Sequence, residues 1–381
     1  MHIGFITPEY PHQNIQRNAG IGTSIKNLAS GLVRSGIQVT VFVYSQDKNE
    51  ELLDSGIHIY KIRKKKYPLL TWYFYRKSVN STINHIVKEK NIELLEIPDW
   101  TGISAFMKFS CKTLIKIHGS DTYFCHLENR KQKYKNYFFE RKAFKNSDQI
   151  VAVSKFSAKT SKKIFNSHKE IEILPNLVDT ERFRNIAVNS VSKELLYFGS
   201  VIRKKGVLEL AEIFNGLVEL RDDITLKIIG KNVIDVIEKT STLSLFKNKL
   251  SPKAKKKFIY VDKVAYQEIV KHINNATAII LPSFAEALPM SWLEAMSCSK
   301  VLFASDIGWS KEIIEHTING YALNPKSHAS FANLIHEVID NEELMSQIGS
   351  KARETIIKKF SEEVVINKHV EFYSKVIKNE L

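Results

Sequence analysis

Two glutamates, Glu286 and Glu294, lie eight residues apart in a stretch whose pattern can bind a phosphorylated sugar. Residues 277–281 are apolar and β-prone, which predicts a buried parallel strand before them. Pro289 suits the first position of a helix, and residues 290–298 are good helix formers. The N–H groups at such a helix start favour phosphate, while the two carboxylates can accept hydrogen bonds from sugar hydroxyls. The alternative is that Glu294 complements the helix dipole and that Glu286 is a solvated loop acid.

The whole stretch 284–320 resembles the E-x7-E signature of the retaining, family-4 glycosyltransferases of GT-B fold. Glu286 and Glu294 match its two glutamates, residues 287–289 its small-hydrophobic-Pro step, and residues 293–296 its LEAM sequence. The resemblance implies that Glu286 takes part in catalysis by binding hydroxyls of the donor sugar, and that Glu294 binds the ribose. It also implies that the leaving diphosphate is stabilised by the backbone around Leu288, Pro289 and Met290.

A histidine ends another predicted strand, residues 113–117, and begins the sequence His118-Gly-Ser-Asp121. The carboxyl end of a parallel strand is where α/β folds place ligand chemistry, although a lone histidine is usually structural. The segment resembles the family's HG(x)D step. This implies that His118 contacts the donor sugar near the reacting carbon, and that Asp121 lies on the acceptor side.

Gly20 and Gly22 follow the first predicted strand and open a predicted helix that ends near Gly36. They are not a dinucleotide fingerprint, because the third glycine is missing and the loop after the strand is too long. The family resemblance places a similar loop beside the donor phosphates and the acceptor, with Gly22 on the donor side and Gly20 on the acceptor side. The alternative is that these glycines simply turn the chain into a helix.

Basic residues lie between the predicted strand 195–198 and the predicted helix 207–220. Arg203 and Lys205 are placed to hold a diphosphate, although a basic surface turn is the commoner use of such a run. The resemblance favours the diphosphate, because Lys205 and the following glycine match the family's Lys-Gly. The family usually has arginine directly after the first glycine of this loop, where this chain has Ser200. We expect Arg203 to reach the same phosphates from a different angle.

The composition predicts a soluble protein of two domains that carries an excess of positive charge. The chain has 381 residues, 44% of them hydrophobic, and a formal net charge of +15. Its three cysteines lack the spacing of a zinc site or a disulfide framework, which favours a reducing, cytoplasmic compartment. Met1 runs straight into a strand pattern, so no signal peptide is predicted. Nucleic-acid binding is not expected either, because no recognition motif accompanies the charge.

A basic and aromatic segment, residues 63–77, offers a specific interpretation of the charge. Its lysines and arginines flank the sequence PLLTWYFY, as in segments that lie at a membrane surface. The segment therefore predicts peripheral binding to an anionic membrane, on the inner face of the cell membrane. The alternative is that the charge serves general solubility and attraction to anionic substrates.

Alternating strand and helix patterns predict an α/β protein with two doubly wound Rossmann-like domains facing a cleft, the GT-B architecture that the resemblance implies. The predicted domains are residues 1–185 on the acceptor side and residues 186–360 on the nucleotide-sugar side. Residues 361–381 are expected to pack back on the first domain, and residues 184–194 to form the linker. Helices are also predicted at 73–90 and 266–274.

The resemblance implies transfer of a hexose, with retention at the anomeric carbon, from a nucleotide-diphosphate sugar to an acceptor hydroxyl. The acceptor is expected to be a saccharide or lipid-linked saccharide in surface polysaccharide or glycolipid synthesis. No Asp-x-Asp triplet occurs in the chain, so neither a required metal nor a cofactor beyond the donor is expected. The departure at Ser200 motivates an alternative, a catalytically weak sugar-nucleotide-binding subunit of a polysaccharide assembly complex.

Overall fold

The structure, a computed structural model, describes residues 1–186 and 193–380. It divides into two compact units: residues 1–177 with 362–381, and residues 178–361. The first unit thus ends eight residues before the predicted boundary at 185/186. Of the predicted linker, residues 187–192 lie outside the described part of the chain. Among the described residues, no helix combines the length and apolar character needed to cross a bilayer.

An eight-stranded sheet forms the centre of the first unit as described, in the order β3-β4-β2-β1-β5-β6-β7-β8. Its strands are β1 (His2–Thr7), β2 (Gln38–Gln46), β3 (Glu50–Asp54), β4 (Ile57–Arg63), β5 (Leu94–Pro98), β6 (Lys112–Ile117), β7 (Gln149–Ala152) and β8 (Glu172–Ile173). The helices that follow in this part of the chain are α1 (Gly20–Arg34), α2 (Thr71–Lys90), α3 (Asp121–Leu127), α4 (Tyr134–Asn146) and α5 (Lys155–Phe165). Neighbouring strands pair in parallel, with the exception of β3.

The antiparallel edge strand β3 was not predicted, although the sequence contains a signal for it. Ser55 and Gly56 form the turn between β3 and β4, and both have positive φ angles, 53° and 85°. A Ser-Gly pair between two strand-like runs is a hairpin signal, because tight hairpin turns need such backbone angles. The predicted start of α2 was also two residues late, since the helix begins at Thr71.

The second unit contains a six-stranded parallel sheet among its described residues, in the order β11-β10-β9-β12-β13-β14. Its strands are β9 (Lys193–Phe198), β10 (Ile224–Ile229), β11 (Phe258–Val261), β12 (Ala278–Leu281), β13 (Leu302–Ser305) and β14 (Tyr321–Leu323). Its helices are α6 (Val207–Leu220), α7 (Thr242–Lys249), α8 (Pro252–Lys256), α9 (Ile269–Asn275), α10 (Met290–Ser297), α11 (His328–Val338) and α12 (Glu342–Phe360). Because most of these strands are buried between helices, their sequences are almost continuously hydrophobic.

Two predictions in this unit need correction. Pro289 is the N-cap of α10 and not its first helical residue, because its ψ angle of 118° is extended. The helix predicted at 266–274 begins only at Ile269, which leaves Tyr266 in the preceding loop. The start of α10 therefore lies one residue later than predicted, at Met290.

The final helix, α13 (Glu362–Lys378), belongs to the first unit and packs against α1. Val365, Ile366 and Phe372 of α13 join the buried cluster that also holds the apolar side of α1. Gly31 of α1 permits this close contact, because a Cβ atom there would lie 2.7 Å from the side chain of Ile366. Burial of this apolar face is what stabilises the return of the chain to its first unit.

Candidate active site

The loop between β12 and α10 holds Glu286 against a lysine from the neighbouring loop. Glu286 Oε1 lies 2.7 Å from Nζ of Lys205 and 3.4 Å from Oγ of Ser283. The loop itself is anchored, since the N–H of Phe284 donates to the carbonyl of Lys204 at 2.8 Å. Two predicted site residues that are 81 residues apart in the sequence thus meet as an ion pair that is only partly exposed.

Gly206 explains why the Lys205 loop can pack so closely on the strand-end loop. Its φ angle is +71°, and a Cβ atom there would lie 1.9 Å from the carbonyl oxygen of Pro282. A side chain at this position would force the two loops apart. The Lys-Gly sequence is therefore a geometric requirement for the contact between Lys205 and Glu286.

The start of α10 lies directly after this loop. Leu288 is buried, Pro289 caps the helix, and Met290 is its first residue. The N–H groups of a first helical turn have no acceptor within the helix, and the helix dipole makes this end positive. Together with Lys205 it forms a setting that favours an anion.

Glu294 lies one helical turn into α10 and is buried, with 5% of its surface exposed. Its Oε1 accepts a hydrogen bond from the hydroxyl of Tyr266 at 2.8 Å. Burial raises the pKa of Glu294 to about 7, although the Tyr266 hydrogen bond and the cations of Lys205 and Arg182 lower it. Sequence reasoning missed Tyr266, because nothing in the spacing of residues 266 and 294 indicates contact.

Arg203 is held by an acid that the sequence did not single out. Its Nε and one terminal nitrogen donate to the carboxylate of Asp235 at 2.8 and 3.1 Å. Asp235 also accepts from the N–H groups of Ile237 and Glu238, at 2.9 and 2.7 Å. This network fixes the guanidinium on the loop after β10, and its predicted phosphate contact stays a prediction.

His118 directly follows β6 in the first unit, and its backbone is held by a buried acid. Its N–H donates to Oδ1 of Asp99 at 3.0 Å, and Asp99 is 4% exposed at the end of β5. Burial raises the pKa of Asp99 to about 8. Burial and the nearby cation of Lys116 hold the pKa of His118 well below its usual range, so its imidazole is neutral at physiological pH.

Asp121 is the first residue of α3, and its carboxylate already has a partner. Its Oδ2 accepts from the side-chain amide of Asn136 at 2.8 Å. Its own N–H, with those of Thr101 and Thr122, donates to the buried carboxylate of Glu140 at 3.0 to 3.1 Å. Glu140 thus occupies the N–H groups that a ligand at this helix start would need.

The two glycines of α1 differ in their surroundings. A Cβ atom at Gly20 would meet nothing within 4 Å, whereas one at Gly22 would lie 2.9 Å from the carbonyl oxygen of Glu9. The N–H of Gly22 donates to the Glu9 carboxylate at 2.9 Å. The glycine at 22 therefore permits packing within the protein, while the space beside Gly20 is open.

Behind His118, α13 contributes to a buried network of charged and polar groups. Lys116 Nζ lies 2.8 Å from Nε2 of His369 and 3.6 Å from Oε1 of Glu96. Tyr373 donates to Oε2 of Glu96 at 2.5 Å. The Nδ1 of His369 lies 2.8 Å from the carbonyl of Val365, which leaves Nε2 to accept from the lysine.

Among the described residues, no group of three or more His, Cys, Asp or Glu side chains is arranged to hold a metal ion. The positive groups beside Glu286 are instead Lys205 and the start of α10. The predicted independence from metal remains a prediction that an experiment must test.

The chain matches two sequence models of glycosyltransferases: "Glycosyltransferase Family 4" over residues 18–182 and "Glycosyl transferases group 1" over residues 178–355. It is 23% identical over 393 residues to an uncharacterized glycosyltransferase of Methanocaldococcus jannaschii, covering 98% of each protein. It is also 23% identical over 252 residues to the N,N'-diacetylbacillosaminyl-diphospho-undecaprenol alpha-1,3-N-acetylgalactosaminyltransferase of Campylobacter jejuni, covering 62% of this chain and 63% of that protein.

Solved structures show the same fold. A sucrose-phosphate synthase of Thermosynechococcus elongatus superposes with a TM-score of 0.83 at 14% identity, covering 99% of both chains. The Anabaena protein HepE, in complex with UDP-glucose, superposes with a TM-score of 0.73 at 15% identity, covering 98% of this chain and all of that one. The two matched models indicate the family, and the parallel-sheet units and these solved structures indicate the fold of that family. The chain belongs to the family-4 glycosyltransferases of GT-B fold.

Proposed function

We propose that this protein is a retaining hexosyltransferase that uses a nucleotide-diphosphate sugar as donor. The observation that carries the proposal is the pair of Lys205 and Glu286 beside the start of α10, with Glu294 one turn behind. A cation and a helix start favour a diphosphate, and two carboxylates accept hydrogen bonds from sugar and ribose hydroxyls. The UDP-glucose bound by HepE, a protein of the same fold, supports this choice of donor class.

In the proposed reaction, the bond between the anomeric carbon and the diphosphate oxygen breaks. A bond to the acceptor oxygen forms on the same face of the sugar, and the acceptor hydroxyl passes its proton to an oxygen of the leaving diphosphate. Negative charge builds on the leaving diphosphate, so Lys205 and the N–H groups at the start of α10 stabilise the transition state. Glu286 orients the sugar, Glu294 the ribose, and His118 contributes a neutral imidazole.

The proposed reaction needs no metal and no cofactor. Lys205 and the helix start provide positive charge where a divalent ion would otherwise neutralise the diphosphate. Neither group is removed by a chelator, so turnover and nucleotide binding should be unchanged by EDTA. A loss of either in EDTA, restored by Mg²⁺ or Mn²⁺, would overturn this part of the proposal.

A thermal-shift panel tests the donor site directly. Wild type and Glu294→Ala are heated with UDP, GDP, ADP or CMP, each with and without EDTA. We expect one nucleoside diphosphate to stabilise wild type and to lose its effect in the variant. A ligand at about a hundred times its dissociation constant stabilises a protein by about 2.7 kcal/mol, which such a panel detects. No stabilisation by any nucleotide would contradict the proposal.

A second candidate is a sugar-nucleotide-binding subunit with little catalytic activity. Ser200 stands where the family usually has arginine, and the guanidinium of Arg203 is committed to Asp235. Such a protein would bind the nucleotide but transfer no sugar. Release of the nucleoside diphosphate that depends on an added acceptor would exclude this candidate.

For the acceptor we propose a saccharide or lipid-linked saccharide, as in surface polysaccharide or glycolipid synthesis. The name of the Campylobacter relative includes a diphospho-undecaprenol acceptor, which is a lipid diphosphate. Residues 63–77 are our proposed contact with an anionic membrane surface on its cytoplasmic face. In this segment Arg63 and the three lysines after it are exposed.

A further inference from the structure

Large apolar side chains lie exposed at one region of the first unit. Leu69 and Leu70 precede α2, with 77% and 57% of their surfaces exposed, and Phe74 is exposed in its first turn. Tyr134 and Phe138 are exposed on α4, a helix that the basic-aromatic segment 63–77 does not include. Isolated exposed hydrophobic residues are common in proteins, but a group that forms one patch indicates an interaction surface.

A chain of ring contacts links Phe74 on α2 to Phe138 on α4. The ring of Phe74 lies 5.5 Å from that of Tyr73, whose ring is 6.1 Å from Phe106. Phe106 in turn lies 6.2 Å from Phe138 on α4. These five exposed residues, Leu69, Leu70, Phe74, Tyr134 and Phe138, are called the docking face below.

The backbone within this patch is strained at two bulky residues. Leu70 has φ of 48° and ψ of 40°, and Phe106 has φ of 66°. Left-handed backbone is unfavourable for large side chains, and such outliers concentrate where function requires a particular presentation. Leu70 holds this conformation while 57% of its surface is exposed, next to the exposed Leu69.

The charge of the molecule is concentrated in the same unit. The first unit contains 31 lysines and arginines and 19 acids, a net charge of +12, whereas the second contains 25 and 22, a net charge of +3. Residues 61–77 contain seven basic residues and no acid. Residues 130–145 contain another seven and one acid, Glu140, whose side chain is buried.

Lysines also lie within the patch itself, over its aromatic rings. The Nζ atoms of Lys77 and Lys142 are 5.6 and 4.6 Å from the ring centroids of Tyr73 and Phe106. Lys135 Nζ is 5.8 Å from the ring centroid of Trp72. Aromatic rings, lysines packed against them and exposed aliphatic side chains occur together on protein surfaces that bind membranes. Such surfaces lie at the boundary between lipid headgroups and acyl chains.

We propose that the docking face binds a bilayer containing anionic lipid, with the leucines and aromatic rings in the headgroup boundary and the lysines on lipid phosphates. It extends the membrane contact of the proposed function from residues 63–77 to α4, and rests on that function for its purpose, access to a lipid-linked acceptor. A nucleic acid or a soluble polyanion would use the lysines, but it has no use for two exposed leucines.

Vesicle co-sedimentation tests the docking face without any sugar nucleotide. Phosphatidylcholine vesicles, with and without phosphatidylglycerol, are mixed with wild type, with Leu69→Ser/Phe138→Ser, and with Lys64→Ser/Lys65→Ser/Lys66→Ser. We expect wild type to bind the anionic vesicles only. The lysine variant should lose up to about a hundred-fold in affinity and the apolar variant about ten-fold, because both kinds of contact are needed.

Matched changes in the second unit serve as controls. Ile234→Ser/Ile237→Ser removes two equally exposed apolar residues, and Lys255→Ser/Lys256→Ser removes two exposed lysines. We expect vesicle binding of both control variants to equal that of wild type. Equal sedimentation of all variants, or equal losses in the controls, would overturn the proposal.

Two further measurements separate the possible failures. Binding of a polyanion such as heparin should weaken in the lysine variant alone; if the apolar variant binds vesicles as wild type does, the partner is a polyanion and the membrane proposal is wrong. Nucleotide thermal shifts are recorded on the same variants. Vesicle binding without any nucleotide shift would leave the docking face standing and contradict the proposed function, whereas the reverse result would contradict the docking face alone.

Discussion

The two units share a parallel-sheet architecture but use their ionisable residues differently. In the second unit, Lys205 and Glu286 meet at the ends of strands, where a ligand can reach them, and the net charge of the unit is only +3. In the first unit, Glu96 and Lys116 are fully buried and paired with each other and with α13. Its charge of +12 is carried on the surface instead.

The difference shows that the same architecture can use charged residues either to bind a ligand or to pair with a helix. Charges at strand ends of the second unit can bind and polarise a small anionic ligand, because they are partly exposed. Buried charges of the first unit pair with the terminal helix α13, while its exposed charges suit a large anionic partner. In our proposal, the first unit interacts with a large partner and the second performs the donor chemistry.

The largest effect is expected from breaking the buried pair of the first unit. Glu96→Gln leaves the Lys116 ammonium without its carboxylate, which should cost about 3–5 kcal/mol of the free energy of unfolding. Burial already lowers the pKa of Lys116, and the substitution should lower it further. Because a depressed lysine pKa means that stability is lost as pH falls, the variant should recover partly at high pH in urea titrations.

Two controls accompany that variant. Glu371→Gln removes the exposed partner of Lys375 on the same helix, and should change stability by no more than about 1 kcal/mol. Glu96→Gln/Lys116→Met removes both charges and should be more stable than Glu96→Gln alone. If Glu96→Gln is as stable as wild type, the buried network does not hold α13 and the comparison of the two units loses its basis.

The next effect is expected from the cation of the second unit. Lys205→Met removes the positive charge beside Glu286, and should lower kcat by about 10²–10³, as loss of one group that stabilises transition-state charge does. Steady-state kinetics with the donor identified by thermal shift measures the change. Lys255→Met, an exposed lysine of the same unit, should leave kcat unchanged. A Lys205→Met enzyme with nearly normal kcat would remove Lys205 from the diphosphate site.

A smaller effect is expected from the hydroxyl that holds Glu294. Because burial raises the pKa of Glu294 to about 7, its carboxylate forms, and donor binding tightens, as pH rises through that value. Tyr266→Phe removes a hydrogen bond that lowers this pKa, so the midpoint should move to higher pH and affinity at neutral pH should fall about ten-fold. Calorimetric titration of the nucleoside diphosphate across this range measures both.

The pH dependence also has a control within the site. Glu294→Gln cannot ionise, so its nucleotide affinity should be weak and independent of pH near neutrality. In the unliganded protein, ionisation of Glu294 has the opposite effect: stability falls as pH rises, whereas nucleotide affinity increases. A glutamate whose folded-state pKa is raised costs stability as pH increases from its ordinary value of 4.5 to about 7. A wild-type affinity that does not change with pH would contradict a role for the Glu294 carboxylate in binding.

The sequence predicted those parts of the site that are determined locally. The strand, loop and helix around Glu286 follow from apolar runs and a proline, whereas the choice of Glu286 and Lys205 as site residues came from the family resemblance and stays a prediction. What it missed are partners that are distant along the chain. Tyr266 reaches Glu294, and Asp235 holds Arg203, through packing that no spacing encodes.

Contacts between distant parts of the chain also explain which features of the first unit could not be predicted. Tyr373 meets Glu96 only because α13 returns to the first sheet, 277 residues later in the chain. The exposed residues of α4 looked like one side of an ordinary amphipathic helix, since exposure is a property of the folded surface. By contrast the hairpin at Ser55 and Gly56 was within reach of sequence reasoning, and the signal was overlooked.

The smallest effect is expected at the first turn of α1, where two glycines make a matched pair. Gly20→Ala meets no atom within 4 Å and improves helix propensity, so it should raise the free energy of unfolding by about 0.4–1 kcal/mol. Gly22→Ala should instead destabilise, because its Cβ would lie 2.9 Å from the Glu9 carbonyl. If the open space beside Gly20 admits the acceptor, Gly20→Ala should also raise the acceptor KM with little change in donor binding. A stabilised variant with unchanged kinetics would mean that Gly20 only begins a helix, which would leave the acceptor side of the first unit to residues other than this glycine.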